Sequence, residues 1–305
     1  MSSAIMVQHV TKRYGDFTAV NDLSFEVHCG EIFSVLGPNG AGKTTTLRMV
    51  LDILKPDTGS VTVFDAPIDD AAKNRIGYLP EERGLYRTVP VIEVLVYLGQ
   101  LKGLSRHDAQ QRATALLERV DLMDNAKSKV SELSKGMQQK VQIISTVLHQ
   151  PDLVIIDEPF SGLDPVNTQL IKDLLYEMNQ QGVTIVMSTH QMHQIEEMAS
   201  RMLMISQGRA VLYGDVQEVR GQFAKNAIIV EGEGDWAALP GVRAVDDAGN
   251  GRGAMLHLED GTTPDDVMEA MAVGQAYQVR RFELAVPGLN EIFIQVAGET
   301  SRNGG

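Results

Sequence analysis

Gly37-Pro38-Asn39-Gly40-Ala41-Gly42-Lys43-Thr44 satisfies the phosphate-binding pattern G-x-x-x-x-G-K-[ST] at every fixed position. In front of it, Ile32-Phe33-Ser34-Val35-Leu36 reads as a buried strand, and behind it the run from Thr45 to Leu51 opens a helix. Strand, glycine-rich loop and helix in this order make a phosphate cradle. The glycines let backbone N–H groups turn inward, and the helix adds its positive end. In such a cradle Lys43 reaches the β- and γ-phosphates of a nucleotide and the Thr44 hydroxyl ligates a magnesium ion.

The composition bounds what the cradle serves. A chain of 305 residues, 43% hydrophobic and 22% charged, has the make-up of a soluble globular protein of one to three domains. Its formal charge of −13, from 27 basic and 40 acidic residues, disfavours broad nucleic-acid binding. Cys29 is the only cysteine, so an internal disulfide and a thiolate metal site are excluded, and a buried reduced thiol is expected. No window approaches eighteen apolar residues and the first twenty residues lack the apolar core of a signal peptide. A cytoplasmic chain is expected, any membrane-spanning part being supplied by another polypeptide.

Taken in order, Ile5 to Val10 and Ser24 to Val27 read as short strands around a polar turn with Tyr14, whose ring could stack on a base. Strands follow at Ser60 to Phe64 and Ile76 to Leu79, the second ending in the polar loop Pro80 to Gly84. Val91 to Leu101 and His107 to Val120 read as helices of a mostly helical middle lobe. Ser134 then sits as the N-cap of a helix from Val141 to Leu148, a plain helix start that also suits an anion. The buried strand Leu153 to Ile156 ends in Asp157 and Glu158. The first is placed to hold magnesium and the second to polarise a water for attack on a γ-phosphate. A helix from Pro165 to Gln180 leads to the strand Val183 to Met187 and to His190, at the carboxyl edge where α/β sheets gather ligands.

Residues 5 to 220 together resemble the nucleotide-binding domain of the ATP-binding cassette (ABC) transporter family. Tyr14 matches the family's A-loop aromatic, residues 37 to 44 its Walker A loop, and residues 153 to 158 its Walker B strand with catalytic glutamate. Ser161 to Asp164 match the D-loop and His190 the switch histidine, whereas kinases and GTPases share only the cradle. The stretch Leu133-Ser134-Lys135-Gly136-Met137 departs from the family's Leu-Ser-Gly-Gly-Gln signature at Lys135 and Met137 but keeps Ser134 and Gly136. Glu81 aligns with the family's Q-loop glutamine and is carried over as a further magnesium contact.

The resemblance implies an α/β P-loop NTPase domain with a helical lobe over residues 1 to 220. It implies ATP and Mg2+ as ligands, with nucleotide held by Tyr14, Gly37 to Thr45, Ser134 and Gly136. Glu158 and His190 would be catalytic, and Thr44, Asp157 and Glu81 would face the metal. One cassette per chain implies a homodimer or a pairing with a related ABC subunit. Residues 221 to 305 read as a small α+β domain with six basic and thirteen acidic residues, strands at Ala227 to Val230 and Ala254 to Leu258, and a helix at Pro264 to Met271. Their close, Val286 to Ile294, resembles an ending found in ATPases of bacterial exporters and suggests an accessory tail for dimer contacts or regulation. The expected function is the ATPase of an exporter, docked from the cytoplasm on separate membrane permease subunits and not on nucleic acid. A soluble ABC ATPase clamping another macromolecule, or a binding module without turnover, are the alternatives.

Overall fold

The computed structural model describes residues 2–81, 84–224, 226–248, 253–273 and 277–303, with side chains to residue 296. Glu82 and Arg83 of the expected polar loop, and Lys225 and Arg252 of the charge count, lie outside the described residues. The chain forms two compact units, Met1–Val216 and Gln217–Gly305.

The first unit opens with β1 (Ser3–Tyr14) and β2 (Phe17–His28), a hairpin closed at the pair Tyr14–Phe17. Both strands run well beyond the short segments expected from hydrophobic alternation. Bulges and shifts of register interrupt the period of two, and cross-strand pairing carries the strands through them. Cys29 follows β2 and is exposed, contrary to expectation, because it stands in the tight turn with Gly30 (φ 76) outside the sheet. Next come β3 (Ile32–Leu36), α1 (Lys43–Val50), β4 (Thr58–Val63), α2 (Asp70–Asn74) and β5 (Ile76–Leu79). The helical lobe holds α3 (Val91–Leu101), α4 (Arg106–Arg119) and α5 (Lys135–Val147). The chain returns through β6 (Leu153–Asp157), α6 (Pro165–Gln180), β7 (Thr184–Thr189) and α7 (Met192–Met198) to β8 (Arg201–Ser206) and β9 (Arg209–Asp215).

These strands make a six-stranded sheet in the order β5-β6-β7-β3-β8-β9, parallel except for β9, and β2-β1-β4 make a separate antiparallel sheet. The central strands are apolar without alternation because both faces are covered. Along β6, Val154 and Ile156 join the core shared with the helical lobe, while Leu153 and Ile155 join the core shared with β1, β2 and α1. Neighbouring parallel strands bring their carboxyl ends to one edge, where Leu36 pairs with Thr189 and Asp157 with Ser188.

After α8 (Val216–Gln222), the second unit contains β10 (Ala227–Glu233), β11 (Val242–Asp247), β12 (Gly253–Leu258), α9 (Pro264–Val273), β13 (Gln278–Leu284) and α10 (Leu289–Asn303). Its antiparallel sheet, ordered β11-β12-β10-β13, has its own core of Ile228, Val230, Leu256, Leu258 and α9's Val267 and Met271. β11 carries three charges in six residues and is largely exposed, so alternation does not mark it as a strand.

One buried group in the first unit has a consequence for stability. His149 follows α5, its Nε2 lies 3.2 Å from the Ile76 carbonyl, and its Nδ1 is buried with no partner among the described residues. Burial, with the Lys102 ammonium adding to it, lowers its pKa from 6.5 to about 4. The folded state therefore holds this ring neutral while the unfolded chain protonates it. Its contribution is fully present above pH 6.5 and is lost as pH falls from there towards about 4. The urea midpoint should fall between about pH 7.5 and 4.5, and His149→Gln should flatten part of that slope. Equal slopes in the two proteins would remove His149 from the account.

Candidate functional site

The site is built on the turn after β3. Gly37 (φ 147) carries no side chain where a Cβ would lie 2.2 Å from the Ile205 carbonyl of β8. Gly42 (φ 107) stands at the N-cap of α1, where a Cβ would lie 2.5 Å from the Ala19 carbonyl. Only glycine lets the loop sit this close to two strands. No side chain caps α1, so its first N–H groups remain available to an anion. The buried Lys43 ammonium donates to the carbonyls of Gly37 (2.8 Å) and Pro38 (3.2 Å), which fold the loop around it. Burial lowers its pKa, while Glu158, Asp157 and Glu81 oppose that shift.

Parallel pairing brings the acids to this loop. Asp157, 2% exposed, accepts a hydrogen bond from the Thr44 hydroxyl at 2.9 Å and another from the Ser188 hydroxyl. β6 ends there, and Glu158 takes a left-handed backbone conformation (φ 56), which swings its side chain onto the end of β7. The Glu158 carboxylate accepts from the His190 amide (3.1 Å), the Thr189 hydroxyl (3.2 Å) and His190 Nδ1 (2.7 Å). A carboxylate only accepts, so the His190 proton is on Nδ1 in this contact. The imidazole is over half exposed while Glu158 is buried, and both line one cavity.

One cavity of about 370 Å³ joins these parts. It is lined by the loop and helix start from Asn39 to Thr45, by Asp157, Glu158, His190 and Glu81, and by Tyr14 of the hairpin. The sequence reading missed Phe17 and Ala19, which also line it. Phe17 is an exposed aromatic directly across the hairpin from Tyr14. The signal was present in the sequence, because continuing β1 and β2 to a two-residue turn at Gly15-Asp16 makes the two aromatics neighbours. With two aromatic rings, a glycine-rich loop and a lysine in its lining, the cavity can take a planar apolar group together with a polyanion.

Ser134 and Gly136 are not among its lining residues. Ser134 caps α5 and its hydroxyl accepts from the Met137 amide at 3.2 Å. Met137, where the family carries glutamine, packs on the core of the helical lobe. Two residues on, Gln139 donates to the Pro159 carbonyl (3.1 Å), tying α5 to the segment after Glu158. Asp164 caps α6 by accepting from the Asn167 amide (2.9 Å) and side chain (2.6 Å), which hold its pKa below the usual carboxylate value.

Comparison with known proteins gives matches over most of the chain. Residues 20–161 match the ABC transporter family model, and residues 214–297 match the C-terminal domain of DrrA1-3-like ATP-binding proteins. The chain is 39% identical over 297 residues to the ABC transporter ATP-binding protein YhaQ of Bacillus subtilis, covering 96% of this chain and 98% of that one. It is 38% identical over 217 residues to the Nod factor export ATP-binding protein I of Cupriavidus pinatubonensis, covering 70% and 67%. A solved ATP-binding subunit of an ABC transporter superposes with a TM-score of 0.67 at 30% identity, covering 72% of this chain and 93% of that one.

Gly42→Ala tests the cradle directly. The new methyl meets backbone, which has little room to yield, and the left-handed conformation adds strain, so a loss of about 1–3 kcal/mol is expected. Thermal unfolding reads this, and an unchanged midpoint would contradict the close approach to Ala19.

Proposed function

The chain belongs to the ATP-binding proteins of the ABC transporter family, and on that premise we propose that it is the ATP-hydrolysing subunit of an exporter whose membrane-spanning part lies on separate polypeptides. The observation that carries the reading is the pair of contacts on one cavity wall, Thr44 with Asp157 and Glu158 with His190. The first fits a magnesium site beside bound phosphates; the second fits a base and its orienting partner.

In this reading the adenine ring stacks against Tyr14 and Phe17, and the triphosphate lies in the loop from Gly37 to Thr45. Lys43 leaves the loop carbonyls for the β- and γ-phosphates. Magnesium, a hard cation, takes oxygen ligands, and Thr44, Asp157 and Glu81 offer only oxygen. Thr44, Asp157 and Glu81 would hold the ion next to the loop that takes the phosphates. When bound, the ion offsets charge on the β- and γ-phosphate oxygens. Glu158 orients a water and takes its proton as the water oxygen bonds to the γ-phosphorus and the bond to ADP breaks. His190 keeps Glu158 in place and offers its ring to the γ-phosphate.

Ser134 and Gly136 lie outside this chain's cavity, which supports a dimer in which a second copy or a related subunit presents them to the γ-phosphate. Triphosphate then bridges the two subunits and its cleavage releases them. Three observations support the exporter and its membrane partner. One is the printed role of the Nod factor relative. Another is the exporter-like ending from Val286 to Ile294. The third is that no helix among the described residues is long and apolar enough to cross a membrane. The site of action is the inner face of the cell membrane.

Two substitutions test the assignment. Glu158→Gln keeps the shape and a hydrogen-bond acceptor but removes the base, so ATP binding should persist while turnover falls at least about 100-fold. Undiminished hydrolysis would exclude Glu158 as the base. Lys43→Ala should weaken ATP binding about 10- to 100-fold in a titration, since a charge-assisted contact to phosphate is lost. Wild-type affinity would count against the cradle.

A further inference from the structure

Beside this site lies a buried cation that the mechanism does not use. Lys172 of α6 is 4% exposed; its ammonium pairs with the Glu197 carboxylate of α7 and lies 6.0 Å from the centre of the Phe160 ring. One turn further along α6, the Tyr176 hydroxyl donates to the main-chain carbonyl of the same Glu197 at 2.6 Å. Residues four apart share a helix face, so α6 grips α7 at a single residue through both side chain and backbone.

The two helices issue from the segments that meet at Glu158. α6 begins at the cap Asp164, immediately after Ser161-Gly162-Leu163, and Phe160 lies two residues beyond Glu158. α7 begins two residues after His190. It has seven residues and no side-chain cap at its start, and a helix that short is not stable by itself. Ile195 and Met198 seat it against the core, but apolar contact does not fix its position along α6. The Glu197 contacts do, because a buried ammonium is costly unless its partner stays in place.

We propose that Lys172 and Tyr176 are positioning residues for His190: by holding α7 at Glu197 they keep the imidazole on Glu158. The inference rests on the reading that Glu158 and His190 act in hydrolysis, and adds that the helix after the D-loop sets the register of the helix after the switch histidine. The hold acts on the chemical step and not on the nucleotide's seat, since neither Lys172 nor Tyr176 lines the cavity.

The test uses the full chain and two readouts. Lys172→Met fills the buried volume with an unbranched apolar stem and strands no buried charge, and Tyr176→Phe removes only the hydroxyl. Each should lower kcat about 3- to 10-fold with KM for ATP unchanged. Lys172→Arg, which keeps a cation for Glu197, should retain at least about half of the wild-type kcat. Separately, the imidazole resonances of His190, assigned by their loss in His190→Ala, should move in Lys172→Met towards their positions in Glu158→Gln. This second readout needs no turnover, so it judges the inference even if the hydrolytic reading fails. Unchanged kcat together with unmoved His190 resonances would overturn it. So would a loss of activity that follows a fall in unfolding temperature while the resonances stay put.

Discussion

The first unit depends on a buried carboxylate shared between two strand ends and the start of a helix. Asp157 accepts hydroxyl hydrogen bonds from Thr44 at the start of α1 and from Ser188 on β7, and at 2% exposure it has almost no water to replace them. A buried charge without such partners is expensive, so these contacts fix the cradle, β6 and β7 against one another. The parallel register makes this possible. Asp157 pairs with Ser188 and Leu36 with Thr189, so three chain segments far apart in sequence end at the same edge. The cavity follows from that register.

The neighbouring acid is placed by a different device. A strand continued through residue 158 would alternate Glu158 to the face opposite Asp157. The chain instead leaves the strand in a left-handed conformation, and three groups from the end of β7 hold the carboxylate there. For a residue other than glycine that conformation is strained, and strain of this kind persists where surrounding contacts over-determine it. Gln139 on Pro159 and Lys172 beside Phe160 supply further contacts on the segment that follows. The helical lobe, α6 and α7 are thereby joined mechanically to the residue proposed to activate water.

The second unit is organised by other means. Its four-stranded antiparallel sheet packs apolar residues on α9, and Trp236 stacks on Tyr277 with ring centres 5.6 Å apart. The pair of Arg280 with Glu233 is exposed and that of Arg281 with a half-buried Glu231 is partly so, and such surface pairs add little stability. The excess of acid in this region lies largely on solvated surface and defines no partner.

The cradle, the Walker B strand with its two acids, the helical lobe and His190 were all legible in the amino-acid sequence. Each is a run of a few residues whose backbone conformation follows from glycine placement, an unbroken apolar stretch or a cap. Other features came only with the tertiary structure. Glu158 turns through a left-handed residue, Ser134 lies outside its own chain's cavity, and Cys29 is exposed in a turn. Lys172 and Glu197 read in sequence as ordinary helix charges, yet their helices bury one against the other. The reason is physical: conformation over five to ten residues is governed by neighbours in the chain, whereas which side chains meet depends on strand register and helix packing. Those are set by the whole core at once.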